Sequence, residues 1–182
     1  MSAPLAGRAL VTGAARRLGR AMALHLAARG HDVAVHYASS QREAEAVVAE
    51  IAAMGRRAVA LPADLLNEAE TAPLVARAAA ALGGPLNVLV NNASIFEHDT
   101  LASATRDSWD RHIESNLRAP VVLTQAFAAQ LPEAPERCAR GEPLAGALVV
   151  NMIDQRVRKL TPEFMSYTIA KMGLWAFTRT AA

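Results

Sequence analysis

The apolar positions of this chain fall into short runs separated by stretches with helical spacing. Arg8-Ala-Leu-Val-Thr12 is the first run; it ends in Gly13-Ala-Ala-Arg-Arg-Leu-Gly19 and leads into an amphipathic stretch from Arg20 to Arg29. His31-Asp-Val-Ala-Val-His36-Tyr37 predicts a second strand, Gln41 to Met54 a helix, and Arg57 to Leu61 a third strand. After Ala63-Asp64-Leu65 a helix opens at Asn67-Glu-Ala-Glu70 and closes at Gly83-Gly84-Pro85. Asn87-Val-Leu-Val predicts a fourth strand, running into Asn91-Asn92-Ala93-Ser94. A long helical pattern spans about Arg106 to Leu131, interrupted by Pro120. A loop rich in Pro, Gly and charge, Leu131 to Gly146, joins it to a fifth strand, Ala147 to Asn151. Thr161-Pro162 predicts an N-cap with proline at the first helical position, opening a last helix. Such alternation implies one α/β domain over residues 1–182: a doubly wound, Rossmann-like parallel sheet in three layers, with helices on both faces.

Ligands of such sheets lie outside the carboxyl ends of the strands, and Gly13, Asp64 and Asn91 all fall at such ends. A strand, a glycine turn and a helix point helix N-terminal N–H groups at a phosphate. Gly13 permits the tight turn, Gly19 lets the helix approach the strand, and Arg17 adds a cation beside the expected pyrophosphate. The second strand ends His36-Tyr37-Ala-Ser39-Ser40, without the acid that accepts from both ribose hydroxyls in NAD-specific folds. Arg17 and the two hydroxyls would welcome a 2′-phosphate instead, so NADPH is favoured over NADH. Ser40-Gln-Arg-Glu43 also reads as a capping box, which gives Ser40 a structural reason to be there.

Composition narrows the class. With 52% apolar and 20% charged residues the chain is an ordinary globular protein, not a disordered one. Its net charge is +2 and no Lys/Arg block exceeds two residues, which argues against nucleic-acid binding. No apolar run is long enough to span a membrane and no signal peptide is visible. Cys138 is the single cysteine, so no intrachain disulfide forms, and a cytoplasmic location is expected. No metal is assigned.

The chemistry concentrates near the end of the chain. Tyr167-Thr-Ile-Ala-Lys171 places Lys171 about one helical turn beyond the Tyr167 hydroxyl. Two Tyr and two Lys among 182 residues make that pairing unlikely by chance. A phenol titrates near ~10, and a neighbouring ammonium lowers that value, so the pair reads as a general acid and its tuner. Pro120 has no N–H to offer the Asn116 carbonyl, which predicts a kink where Asn116 presents a free carbonyl for a water running to Lys171. Trp109 and Trp175 read as packing or interface residues.

Together these residues resemble the short-chain dehydrogenase/reductase family. The resemblance rests on Thr12-Gly13-x3-Arg17-x-Gly19, Asp64, Asn91-Asn92-Ala93, Asn116, and Tyr167-x3-Lys171 with a polar residue thirteen before the Tyr. It implies that Asp64 lies against the adenine and that Asn91 supports the middle of the sheet. Asn116, Tyr167 and Lys171 would form a proton relay, with Lys171 also on the nicotinamide ribose. The cofactor would meet Gly13, Arg17, Leu18, Gly19, His36, Tyr37, Ser39, Ser40, Asp64, Leu65, Asn91, Ala93, Ser94, Tyr167 and Lys171. Three positions depart from the usual pattern: Asp154 stands for Ser, Arg17 for the middle glycine, and Ser94 for the glycine after Asn-Asn-Ala. These look like the pteridine reductase branch, in which the Asp, the Arg and a Phe contact a pterin. Mapped here, substrate contacts fall to Arg17, Ser94, Phe96, Asp154 and Tyr167, with Phe96 stacked on the ring. Read from its own surroundings, Phe96 could equally be a core residue, and Asp154 a loop cap or a partner of Arg156 or Arg158.

The expected activity is NADPH-dependent hydride transfer to a pterin or dihydropterin C=N bond, catalysed by Asp154, Tyr167, Lys171 and Asn116. A carbonyl reductase of another substrate, or a non-catalytic NADP-binding chain, are the alternatives. Family members extend beyond the Tyr-Lys helix by further strands and a substrate-covering region, so the resemblance implies a domain incomplete at its C-terminus. It also implies a homo-oligomer, dimer or tetramer, formed through the long helices holding Asn116 and Tyr167.

Overall fold

The structure, a computed structural model, describes residues 7–131 and 146–182. The expected loop between Leu131 and Gly146, with Cys138, falls outside the described residues apart from its two ends. The elements in chain order are β1 (Arg8–Val11), α1 (Arg17–Ala28), β2 (Asp32–Tyr37), α2 (Gln41–Ala53), β3 (Ala58–Pro62), α3 (Glu68–Thr71) and α4 (Leu74–Leu82). Then come β4 (Val88–Asn91), α5 (Arg106–Ile113), α6 (Ala119–Ala129), β5 (Leu148–Asn151) and α7 (Met165–Thr180).

All strand pairs are parallel and the order is β3-β2-β1-β4-β5. Because successive strand side chains point to opposite faces, β1 feeds two cores. Ala9 and Val11 pack with Ala23, Ala27, Val47 and Ile51 of α1 and α2. Leu10 packs with Leu74, Leu82, Leu123 and Phe127 of α4 and α6. This is the doubly wound, three-layer fold that the alternation predicts. The chain turns outward in both directions from β1 and β4, and the crevice between their carboxyl ends is where a ligand belongs in such a sheet.

Four local expectations change. Pro73 divides the helix expected from Asn67 into α3 and α4. Ser40 makes no side-chain cap, because Glu43 turns to Arg16 and the capping box cannot close. The Pro120 kink appears as a π-helical turn, Glu114–Arg118, ahead of the proline, where the Ala119 N–H reaches the Glu114 carbonyl five residues back. Finally, α7 starts at Met165 instead of following Thr161-Pro162 directly. Thr161 instead meets Arg156 and the Glu163 carbonyl, and Phe164 enters the helix in the left-handed region at φ 59°.

Candidate active site

The glycine turn is shaped by close approach. Gly13 has φ 61°, and a Cβ there would lie 3.0 Å from the Ala93 Cα; at Gly19 a Cβ would lie 2.2 Å from the Gly13 carbonyl oxygen. Thr12 and Asn92 lock the turn to the end of β4. The Thr12 hydroxyl accepts from the N–H groups of Asn92 (2.9 Å) and Ala93 (3.0 Å), and the Asn92 amide donates to the Thr12 carbonyl at 2.8 Å. His36 braces it from below: its Nδ1 accepts from the Gly13 N–H and its Nε2 donates to the Ala63 carbonyl, both at 3.0 Å. Burial pushes the His36 pKa down to about 4, so the ring is neutral.

Above the turn, α1 opens without an acidic residue or a side-chain cap, leaving its first N–H groups for an anion. Arg17 sits there in the left-handed region at φ 50°, exposed, with no carboxylate in salt-bridge range among the described residues. The Ser39 side chain is exposed and that of Ser40 half-buried. Asp64 is exposed at the end of β3, its carboxylate accepting from the Leu66 N–H at 2.9 Å.

Several expected cofactor contacts are repositioned. His36, Tyr37 and Leu65 are buried, and both ring nitrogens of His36 are engaged, so these side chains form the floor. The Leu18 side chain lines an apolar groove against Met22 and Leu148, leaving only its backbone at the helix terminus. Asn91 is also buried, donating to Asn151 Oδ1 at 2.8 Å, which ties β4 to β5.

Asp154, Tyr167 and Lys171 converge beyond the carboxyl end of β5. The Tyr167 hydroxyl donates to Asp154 Oδ2 at 3.0 Å, while Asp154 Oδ1 accepts from the Arg156 N–H at 2.9 Å. Asp154 thus caps its loop and faces the phenol together; the Arg156 guanidinium goes to Thr161 and the Glu163 carbonyl, forming no pair with it. Lys171 Nζ donates to the Met152 carbonyl at 2.9 Å and lies 5.7 Å from the Tyr167 ring centroid. The Asn116 amide clasps Ile95, accepting from its N–H at 3.0 Å and donating to its carbonyl at 2.8 Å. It anchors the loop after β4.

The expected tuning of Tyr167 reverses. Burial, followed by the hydrogen bond and charge of Asp154, pushes the phenol well above its ordinary value, outweighing the opposing pulls of Ser94 and Arg156. Burial brings Lys171 down to about 8, with the Asp154 charge resisting. The lysine is therefore cationic and the phenol protonated at neutral pH.

Phe96 is no core residue: it is 53% exposed, stacks on Phe164 with centroids 4.1 Å apart, and meets Tyr167 edge-on at 4.7 Å. Arg156 lies 4.6 Å over the Phe164 ring. Ser94 is exposed two residues before Phe96. The site thus combines a flat apolar wall, a phenol donor, a carboxylate and a buried ammonium. Phe164, His112, Asp99 and Ser166 were not expected here. They come from separate elements with no common spacing, so no local pattern marks them.

The sequence profile of the short chain dehydrogenase family matches residues 8–182. The chain belongs to that family. Among curated relatives, a short-chain type dehydrogenase/reductase of Picea abies is 34% identical over 187 residues, covering 98% of this chain and 65% of its own. A 3-oxoacyl-[acyl-carrier-protein] reductase FabG of Staphylococcus epidermidis is 34% identical over 174 residues, covering 96% of this chain and 67% of its own. Among solved structures, FolM alternative dihydrofolate reductase 1 of Brucella suis, in complex with NADP, is 41% identical with a TM-score of 0.86, covering 97% of this chain and 68% of that one. This chain therefore spans about two thirds of the length of these short chain dehydrogenase relatives.

Proposed function

We propose that this chain is an NADPH-dependent oxidoreductase that reduces a C=N bond of a pterin-like ring. The observation that carries this reading is the Asp154–Tyr167 hydrogen bond at 3.0 Å beside the exposed Phe96 face. The residues fit the cofactor. The pyrophosphate would sit on the Gly13–Gly19 cradle, where a Cβ would collide, under the uncapped N-terminus of α1 and Arg17. Ser39, Ser40 and Arg17 would take the 2′-phosphate, Asp64 the adenine edge, and Lys171 the nicotinamide ribose. NADPH, when bound, supplies a hydride to the substrate carbon. Tyr167, held protonated, gives its proton to the adjacent ring nitrogen, and Asp154 orients the hydroxyl and passes the next proton from solvent. Lys171, cationic below about 8, stabilises the phenolate that this leaves. Phe96 holds the planar ring by stacking.

The Brucella suis structure bears the name of a dihydrofolate reductase, and dihydrofolate contains a reduced pterin, which supports the substrate class. The 3-oxoacyl reductase relatives favour a second reading, reduction of a ketone. Steady-state oxidation of NADPH with a dihydropterin and, separately, with a 3-oxoacyl thioester distinguishes them. Higher kcat/KM for the thioester would overturn the pterin assignment. Tight NADPH binding with no turnover of either would support a non-catalytic chain. The face of α7 that bears Ile169 (41% exposed) and Met172 (37% exposed) supports self-association through the long helices.

A further inference from the structure

We propose that His112 is a positioning residue that holds the aromatic wall and the proton donor in register through one buried hydrogen-bonded chain; its catalytic part rests on the reading of Tyr167 given above. His112, Asp99 and Ser166 are each 1% exposed or less. The wiring has a single direction. The Glu97 N–H can only donate, and it reaches His112 Nε2 at 3.0 Å, so that nitrogen carries the lone pair. His112 Nδ1 therefore holds the proton and donates to the Ser166 hydroxyl at 2.6 Å. The Ser166 hydroxyl in turn donates to Asp99 Oδ2, while Asp99 Oδ1 accepts from the Ser166 N–H at 3.2 Å. The Asp99 carbonyl accepts from the Phe164 N–H at 2.7 Å, completing the cap of α7 that Thr161 does not provide.

Asp, His and Ser are the residues of a nucleophilic triad, but this wiring excludes that chemistry. The serine proton points to the carboxylate instead of the imidazole, and the hydroxyl is fully buried. What the chain does is mechanical. Glu97 directly follows Phe96, and Ser166 directly precedes Tyr167. One imidazole thus grips both the loop carrying the stacking ring and the helix turn carrying the phenol. Its own ring meets the Tyr167 ring edge-on at 6.0 Å. Three buried polar side chains cost stability unless each is satisfied, so an apolar core here would hold the helices together as well. Their directional bonds add a fixed distance between Phe96 and Tyr167, the distance on which substrate geometry depends.

The chain has two tyrosines, so 13Cζ-tyrosine labelling of the full chain gives one reporter in the site and one control, Tyr37, in the second strand. Three variants separate the two grips. His112→Leu removes both bonds, His112→Asn keeps a donor towards Ser166, and His112→Gln keeps an acceptor towards Glu97. The Tyr167 resonance should shift or split in His112→Leu and His112→Gln and stay near wild type in His112→Asn, with Tyr37 unmoved throughout. Affinity for NADP+ should change by less than ~2-fold, while kcat for dihydropterin reduction falls ~10-fold or more in all three, since each loosens one or both walls. A folded His112→Leu protein with an unmoved Tyr167 resonance would overturn the proposal. Should that variant not fold, identical Tyr167 spectra for the Asn and Gln variants would overturn it as well. Absence of dihydropterin turnover in the unsubstituted chain would count against the substrate reading and leave the Tyr167 resonance to decide this one.

Discussion

Replacing Asp154 by Asn removes a charge while keeping shape and an amide oxygen, which can still accept from the Arg156 N–H that now binds at 2.9 Å. The loop should therefore keep its turn, and the loss should fall on Tyr167. A hydrogen bond to a charged acceptor is worth ~1.5–3 kcal/mol. At 3.0 Å the Tyr167–Asp154 contact is longer than the ~2.5–2.7 Å of the strongest O–H···O⁻ bonds, so the lower end applies. That corresponds to ~10-fold in orientation of the hydroxyl, at ~1.4 kcal/mol per factor of ten. Losing the carboxyl group that resupplies protons adds a general-acid contribution of ~10²–10⁴-fold, bringing the expected fall in dihydropterin turnover to ~10³–10⁵-fold. The phenol should move the other way. Asp154 is the second cause of its elevation after burial, so Asp154→Asn lowers the Tyr167 pKa without restoring the ordinary value. Stability carries the same sign. With the folded pKa above the unfolded ~10, the Tyr167 contribution is complete below pH ~10 and is lost as pH rises towards the folded value. In Asp154→Asn that loss should begin at the same pH but be smaller and end at lower pH. The assays are steady-state NADPH oxidation with a dihydropterin, NADPH affinity by fluorescence, and alkaline titration of labelled tyrosine. Full dihydropterin turnover in a folded Asp154→Asn protein, or an unchanged Tyr167 titration, would refute the reasoning.

Lys171 offers a test of opposite sign. Its folded pKa of about 8 lies below the unfolded ~10.4, so the buried charge costs stability fully below pH 8, and the cost fades as pH approaches ~10.4. Lys171→Met should therefore raise unfolding free energy at pH 7 by up to ~3 kcal/mol, lose that advantage in alkali, and abolish turnover; chemical denaturation at pH 7 and pH 10 checks it. Among the described residues Arg16 and Arg20 at the opening of α1 are paired with Glu43 and Glu50, so Arg17→Gly removes the unpaired cation there, and the NADPH-over-NADH ratio of kcat/KM, expected at ~10-fold or more, should collapse towards unity. Substituting both Ile169 and Met172 by Glu charges the exposed apolar face of α7. Light scattering after size exclusion is expected to show a self-associated unsubstituted chain and a monomeric variant, and an equal mass for both would rule out that face as the interface.

Much of the fold is local and therefore readable from the chain. Apolar runs of four to six residues bounded by glycine or polar turns bury both faces inside a parallel sheet, which is how β1, β2 and β4 formed. Gly13 and Gly19 announced a turn with no room for a Cβ, and the structure supplies the colliding atoms. Tyr167 and Lys171 lie on one helix, where a four-residue spacing fixes their common side before any tertiary contact forms. Asp154 could be placed beyond a strand end by counting alone. What counting could not supply was the balance of forces around the phenol. The sequence pairs Tyr167 with a cation, but burial and a carboxylate from a different segment decide its proton affinity, and both exist only once β5 and α7 have packed. The start of α7 shows the same division. Thr161-Pro162 is a sound local cap signal, yet Asp99, sixty-seven residues upstream of Ser166, takes that role because a buried carboxylate must find donors and the N-terminus of α7 presents them. His112 bonded to Glu97 and Ser166 is wholly of this kind. No period or motif links those positions, and their bonds form because folding shuts water out from His112 and Ser166 at once.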